Sequence, residues 1–139
     1  MTGSAPPETV ARAAGALSSS MRRDFAVVVP AYNEEPVIPD LVAELRQTFQ
    51  AHDLHGEVIL VDDGSTDATA EVARREAAGW DAFRVVEHRA NQGKTEAMLT
   101  GAAATQRSWL VLFDADLQHR PEEIVRFLAT LQEGWDIVT

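Results

Sequence analysis

Short runs of apolar, largely β-branched residues recur along the chain. They are Phe25-Ala26-Val27-Val28-Val29, Val58-Ile59-Leu60-Val61 after Glu57, Phe83-Arg84-Val85-Val86, Trp109-Leu110-Val111-Leu112-Phe113 and Ile137-Val138 after Asp136. Most are continuous rather than alternating, as expected for parallel strands covered on both faces. Their recurrence every 25–30 residues or so matches the length of a βαβ unit. Helical patterns fill the gaps. Val37, Leu41, Leu45 and Phe49 repeat at i, i+4 behind Pro36, a residue suited to a first helical turn. Ser65 or Thr66 can cap a helix running to about Ala78, with Gly79 as its stop. An Ala-rich segment from Gly93 to about Thr105 reads as a third helix. Ile124, Phe127, Leu128 and Leu131 form a fourth, opened by Pro121 and stopped by Gly134. The expected order is β-α-β-α-β-α-β-α-β, an α/β fold with an open, mostly parallel sheet and helices on both faces. No internal repeat is visible.

Residues 1–23 stand apart. The first twenty are rich in Ala, Ser, Thr, Gly and Pro. Small, weakly apolar side chains bury little surface, so the segment is expected to be a mobile leader that can be removed without effect on folding. Met21 is an alternative start. Residues 24–139 form the expected domain.

In an open α/β sheet, ligands bind outside the carboxyl ends of the strands, and this chain concentrates its polar groups there. Pro30-Ala31-Tyr32-Asn33-Glu34-Glu35 follows the first strand and Asp62-Asp63-Gly64-Ser65 the second. His88 through Lys94 follows the third, and Asp114-Ala115-Asp116-Leu117-Gln118-His119 the fourth. If the chain stays extended at Asp114 and Asp116, both carboxylates face one crevice. Two hard oxygen donors side by side suit Mg²⁺ or Mn²⁺ bound together with substrate phosphates. Such a cation would stabilise a diphosphate as a leaving group. The competing reading of the pair is a cap on the next helix. Asp62 and Asp63 can accept from a base N–H or a ribose hydroxyl, while Ser65, Thr66 and Asp67 can serve as helix caps. Tyr32 can flank a nucleobase with Glu34 accepting from it, or it can simply pack on the sheet edge. Gly93-Lys94 opens a helix and can offer N–H groups and an ammonium to phosphate, or be a solvated helix start. His52 and His55 read as loop residues, with His88 and His119 as minor members of the rim.

Composition narrows the field. With 12 Lys+Arg against 22 Asp+Glu, the net charge is −10, which argues against nucleic acid as a partner. It also means that an anionic substrate needs a cation or backbone dipoles. Cysteine is absent, excluding disulfides, thiolate metal sites and a cysteine nucleophile. No apolar run approaches the roughly 20 residues of a membrane-spanning helix, so the chain reads as cytoplasmic.

Taken in order, Val29-Pro30-Ala31-Tyr32-Asn33-Glu34-Glu35, Val61-Asp62-Asp63-Gly64-Ser65-Thr66-Asp67, Asn91-Gln92-Gly93-Lys94 and Asp114-Ala115-Asp116-Leu117-Gln118 resemble the family 2 glycosyltransferases. The likeness is greatest to the dolichyl-phosphate and polyprenyl-phosphate sugar transferase branch, and it covers residues 25–139. It implies a GT-A fold, a UDP- or GDP-linked sugar donor, Mg²⁺ or Mn²⁺, and inverting transfer to an acceptor such as a lipid phosphate, at the cytoplasmic face of a membrane. It puts Pro30, Tyr32 and Glu34 around the base and ribose, and Val61 and Asp63 facing the base and its sugar. Asp114, Ala115 and Asp116 would line the diphosphate, with Asp116 and Gln118 as metal ligands. Asp62 and Lys94 are secondary donor candidates. The family continues past the last strand into a Gly-x-Arg segment and an acceptor-side region. No residue up to Thr139 is assigned as catalytic, because the resemblance places the catalytic base beyond Thr139. The chain alone is therefore expected to bind donor and transfer poorly. The rival expectations are a non-catalytic nucleotide-binding remnant and one half of a split enzyme with a membrane-associated partner. A nucleotidyltransferase lacks support because no glycine-rich loop follows the first strand. An aspartate-phosphorylating phosphatase would carry its acidic pair after the first strand instead.

Overall fold

The computed structural model describes residues 7–116 and 119–134. The expected fifth strand at 136–138, Thr139 after it, and Gln118 lie outside the described residues. The elements run α1 (Pro7–Gly15), β1 (Phe25–Ala31), a 3₁₀ turn (Glu35–Val37), α2 (Ile38–Ala51), β2 (Glu57–Asp62), α3 (Thr69–Glu76), β3 (Phe83–Glu87), α4 (Lys94–Ala103), β4 (Trp109–Leu112) and α5 (Glu123–Gln132). The four strands form one parallel sheet in the order β3-β2-β1-β4. β1 and β2 are buried almost throughout, so their continuous apolar runs follow from cover on both faces.

One layer holds the larger core. Phe25, Val27 and Val29 of β1 and Val58 and Leu60 of β2 meet Leu41 and Leu45 of α2 and Ile124 and Leu128 of α5. On the opposite face Ala26, Ile59 and Val61 pack with Ala97 of α4 in a smaller cluster. The approach of α4 depends on Gly101, where a Cβ would stand 2.3 Å from Val28 Cγ1. The strand order reverses between β1, which leads outward to β2 and β3, and β4 on its other side. A cleft opens at such a switch point because the loops leaving the two strands diverge.

Residues 7–23 depart from the expectation of a mobile leader. α1 is helical, and Val10, Ala14, Leu17 and Met21 are buried in the main core. Gln132 of α5 ties the segment down, its Oε1 accepting from Ser18 N at 2.7 Å and its Nε2 donating to Ala16 O at 2.8 Å. Arg22 donates to His52 O at 2.8 Å and also to Ala14 O. The buried positions are spaced four, three and four apart, a helical stripe masked by the small residues around it.

α3 also begins later than its capping signals suggest. Ser65 and Thr66 are drawn instead to Asn33, which has a left-handed φ of 51°. Ser65 Oγ accepts from Asn33 N, and Asn33 Oδ1 accepts from Thr66 N. The N-cap of α3 is Ala68, without a side-chain cap bond, and Asp67, one residue ahead of it, accepts from Thr69 N at 3.0 Å.

Candidate functional site

A cleft of about 280 Å³ lies where the ends of β1 and β4 diverge. Pro30, Ala31, Tyr32 and Glu34 line it from β1 and its loop, and Asp114, Ala115 and Asp116 from the segment after β4. Asp63, Asn91, Gly93, Lys94 and Ala97 close the remaining wall. Each of the expected strand-end loops thus contributes to one cleft, together with the start of α4.

The β1 loop is cross-braced to the loop after β2. Glu34 N donates to Thr69 Oγ1 at 3.0 Å, Glu35 N to Asp67 Oδ2 at 3.3 Å, and Ala68 N to Glu35 Oε1 at 3.0 Å. These bonds fix the backbone that follows Tyr32, which lines the cleft and stays 45% exposed. An exposed aromatic on a braced backbone can receive a planar ring.

Beyond β4 the chain turns at Ala115 and Asp116 rather than remaining extended. Both carboxylates nevertheless line the cleft, with Ala115 buried between them. Lys94 Nζ lies 2.6 Å from Asp114 Oδ1, in an ion pair whose side chains are 60% and 41% exposed. Carboxylates from Glu34, Asp114 and Asp116 face one lysine around the cleft, with that of Asp63 committed to the wall behind them. Partial burial raises the pKa of Glu34, and the charges of Asp116 and Asp67 push the same way. An excess of carboxylate oxygen favours a hard divalent cation. Among the described residues no group of three or more acidic, His or Cys side chains could hold a metal alone. The fit is therefore to an ion that completes its shell with ligand phosphates and water.

Asp63 is buried and saturated. Its Oδ1 accepts from His88 Nδ1 and Gln92 N, both at 2.8 Å, and its Oδ2 from Gly93 N at 2.9 Å and Asn91 Nδ2 at 3.1 Å. Burial alone would raise the carboxyl pKa, but the bonds from His88, Gln92 and Gly93 outweigh it and the net shift is downward. The folded pKa lies below the unfolded value of about 3.9, so this carboxylate stabilises the fold above that pH and its contribution fades as pH falls through the folded value. Asp63→Asn should therefore lose stability at pH 7. In urea titrations at pH 7, 4 and 3, the gap from the unmodified chain should narrow at the lowest pH. A gap that stays constant would exclude the carboxylate as its source.

Two of the expected donor residues do not line the cleft. Val61 is wholly buried beneath α4 and does not reach the cleft, because its position on β2 points it into the smaller core. Asp62 is also buried, and its Oδ1 accepts from Ser65 N at 2.9 Å, closing the turn after β2. Two further expectations fall outside the described residues. They are Gln118 as a metal ligand, and Thr139 as the point past which the catalytic base is sought. Three residues carry more than the sequence suggested. Asn33 joins two loops, Asn91 lines the cleft, and His88 lies beneath it. Their one sequence signal is their place just after a strand.

Residues 26–139 match the sequence profile of the family described as glycosyl transferase family 2. The chain belongs to that family. This family 2 chain is 34% identical over 114 residues to an undecaprenyl-phosphate 4-deoxy-4-formamido-L-arabinose transferase of Pseudomonas syringae, a match covering 81% of the chain and 34% of the relative. Among solved structures it resembles the Pyrobaculum calidifontis mannosyltransferase PcManGT, determined with GDP-Man and Mn²⁺. That match has a TM-score of 0.68, 26% identity, and covers 89% of this chain and 39% of that one. It also resembles Mycobacterium tuberculosis glucosyl-3-phosphoglycerate synthase with Mn²⁺, UDP and phosphoglyceric acid, with a TM-score of 0.65, 26% identity, and coverage of 97% and 46%. The parallel sheet with its switch-point cleft is thus of the GT-A type, as the motifs implied. The chain spans about a third of the length of the curated relatives it matches. No helix among the described residues is long and apolar enough to cross a membrane.

Proposed function

We propose that this chain is the donor-binding portion of a glycosyltransferase, comprising residues 24–139. It binds a UDP- or GDP-linked sugar with Mg²⁺ or Mn²⁺, and the sugar is transferred with inversion to an acceptor such as a polyprenyl phosphate at the cytoplasmic face of a membrane. The observation that carries this reading is the acidic cleft at the β1/β4 switch point, lined by Asp114 and Asp116 together with Tyr32. The relatives' names supply the acceptor class, and the structural neighbours supply the nucleotide and the metal. Matches to transferases of several kinds favour an enzyme over a non-catalytic remnant.

The residue roles follow from position. Tyr32 and Pro30 flank the base, Glu34 accepts from the base or ribose, and Asp63 holds the wall behind them. Ala115 keeps the turn between the two carboxylates narrow, so the diphosphate can lie close to the backbone. Lys94, freed from Asp114, is placed to meet a phosphate oxygen. Asp116 and Gln118 would hold the cation, which when bound supplies charge neutralisation for the departing diphosphate. Asp62 stays with its turn.

The test is calorimetry of the chain with UDP and GDP in Mn²⁺ and again after chelation. At least one nucleotide should bind, and chelation should weaken it by a factor of about ten or more, as loss of a bound cation's charge requires. Equal affinity with and without metal would overturn the reading.

A further inference from the structure

One wall of the donor cleft is formed between β3 and α4. It is the 90–93 loop, which contributes Asn91 and Gly93 to the cleft and leads into Lys94. Two contacts with the end of β2 set its position. The first is steric. At Gly64, φ is +73°, and a Cβ there would lie 2.3 Å from Ala90 C and 2.4 Å from Asn91 N, so the two backbones are pressed together. The second is the Asp63 carboxylate, which accepts from the backbone N–H groups of both Gln92 and Gly93.

One side chain orients that carboxylate. His88 is 8% exposed, does not line the cleft, and reaches Asp63 Oδ1 through Nδ1 at 2.8 Å and Thr100 Oγ1 through Nε2 at 2.8 Å. Because Asp63 is ionised at neutral pH and can only accept, Nδ1 must carry the hydrogen. In the neutral imidazole, Nε2 then accepts from the Thr100 hydroxyl. The ring spans the end of β3, the end of β2 and the second turn of α4, which are the three elements that hold the loop.

Resting on the proposed donor site, we propose that His88 is a positioning residue for nucleotide recognition. Its imidazole locks Asp63 against Thr100, and Asp63 in turn holds the 90–93 loop where Asn91 and Gly93 face the donor. It never touches the donor. A buried hydrogen bond lost from one side leaves its partner unsatisfied, and here that partner's remaining bonds carry the cleft wall. The two ring nitrogens therefore differ in what they contribute. The Nδ1 bond sets the loop, while the Nε2 bond supports the ring.

Two amide substitutions separate these contributions. Asparagine at 88 places a donor near the Nδ1 position and keeps Asp63, whereas glutamine places one near Nε2 and keeps only Thr100. The experiment measures GDP and UDP affinity by calorimetry in Mn²⁺ for the full chain, His88→Asn and His88→Gln, with a melting temperature for each. His88→Asn should bind within about threefold of the unmodified chain, and His88→Gln about tenfold more weakly, even where the two melt alike. Affinities that are unchanged, or that fall equally in both variants, would overturn the proposal. A second measurement needs no substitution and covers the case of an unfolded variant. In two-bond ¹⁵N–¹H spectra of the unmodified chain, His88 should show the Nδ1–H tautomer, with signals that move on saturation with nucleotide and Mg²⁺. An Nε2–H tautomer, or signals indifferent to nucleotide, would overturn the proposal. If the unmodified chain binds neither nucleotide, the donor-site reading itself falls and takes this one with it. Binding without dependence on His88 removes this proposal alone.

Discussion

A chain beginning at Met21 should melt roughly 10 °C below the full-length protein. Such a cut removes Val10, Ala14 and Leu17, all buried in the main core. It also removes Ser18 N and Ala16 O, the two partners of Gln132 on α5. Full burial of a Val or Leu side chain contributes about 1.5–3 kcal/mol, and deleting the short helix α1 returns part of that as conformational entropy. A net loss of about 2–4 kcal/mol remains, and in a domain of this size each kcal/mol moves the melting temperature by about 2–8 °C. Leu17→Ala isolates the packing contribution and should cost about 2–3 kcal/mol by itself. Because α1 lends no residue to the cleft, nucleotide affinity of the folded fraction should not change. Thermal melts of the two lengths decide the matter. A difference within about 2 °C would mean that α1 contributes nothing to the fold.

That expectation reverses the one drawn from the sequence, and the reason lies in how signals add along a chain. The strands were legible because each is a run rich in Val, Ile, Leu or Phe, although only β1 and β2 are covered on both faces and Leu110 and Leu112 of β4 stay exposed. One central strand, β2, matches its sequence run to within a residue. α1 was not legible because Val10, Ala14, Leu17 and Met21 are set among Ala, Ser and Gly, which dilute the stripe below notice until α5 is there to receive it. The same holds in the cleft. Tyr32, Glu34, Asp114 and Asp116 could be named from their places at strand ends, since topology alone brings those ends together. Direction within a strand is harder to read. Val61 and Asp62 sit beside Asp63 in sequence, yet alternation and the turn at Gly64 bury the first in the core and fold the second back onto Ser65. His88 and Asn91 went undervalued because their roles depend on Asp63, about 25 residues away in sequence and in contact only once β2 and β3 are paired.

Asp116→Asn and Asp62→Asn should divide affinity from stability. Asp116 is exposed and lines the cleft, so replacing it should cost little stability, about 1 kcal/mol or less. The amide keeps the shape but loses the charge and one hard oxygen. A neutral amide nitrogen cannot ligate a divalent cation, and a bound cation is the largest local charge in such a site. Metal-dependent nucleotide affinity should fall by about a hundredfold, the upper range seen when even supporting groups of a metal site are lost. Asp62→Asn acts elsewhere. Its Oδ1 still accepts from Ser65 N, so the turn survives, and the residue does not line the cleft. Nucleotide affinity should stay within about threefold, while stability falls by about 1 kcal/mol from replacing a charge-assisted bond with a neutral one. Calorimetric titration with GDP or UDP in Mn²⁺, paired with urea unfolding of both variants, reads the two quantities independently. If Asp62→Asn weakened binding as much as Asp116→Asn, the carboxylate at the end of β2 would belong to the donor site and not to the turn that carries it.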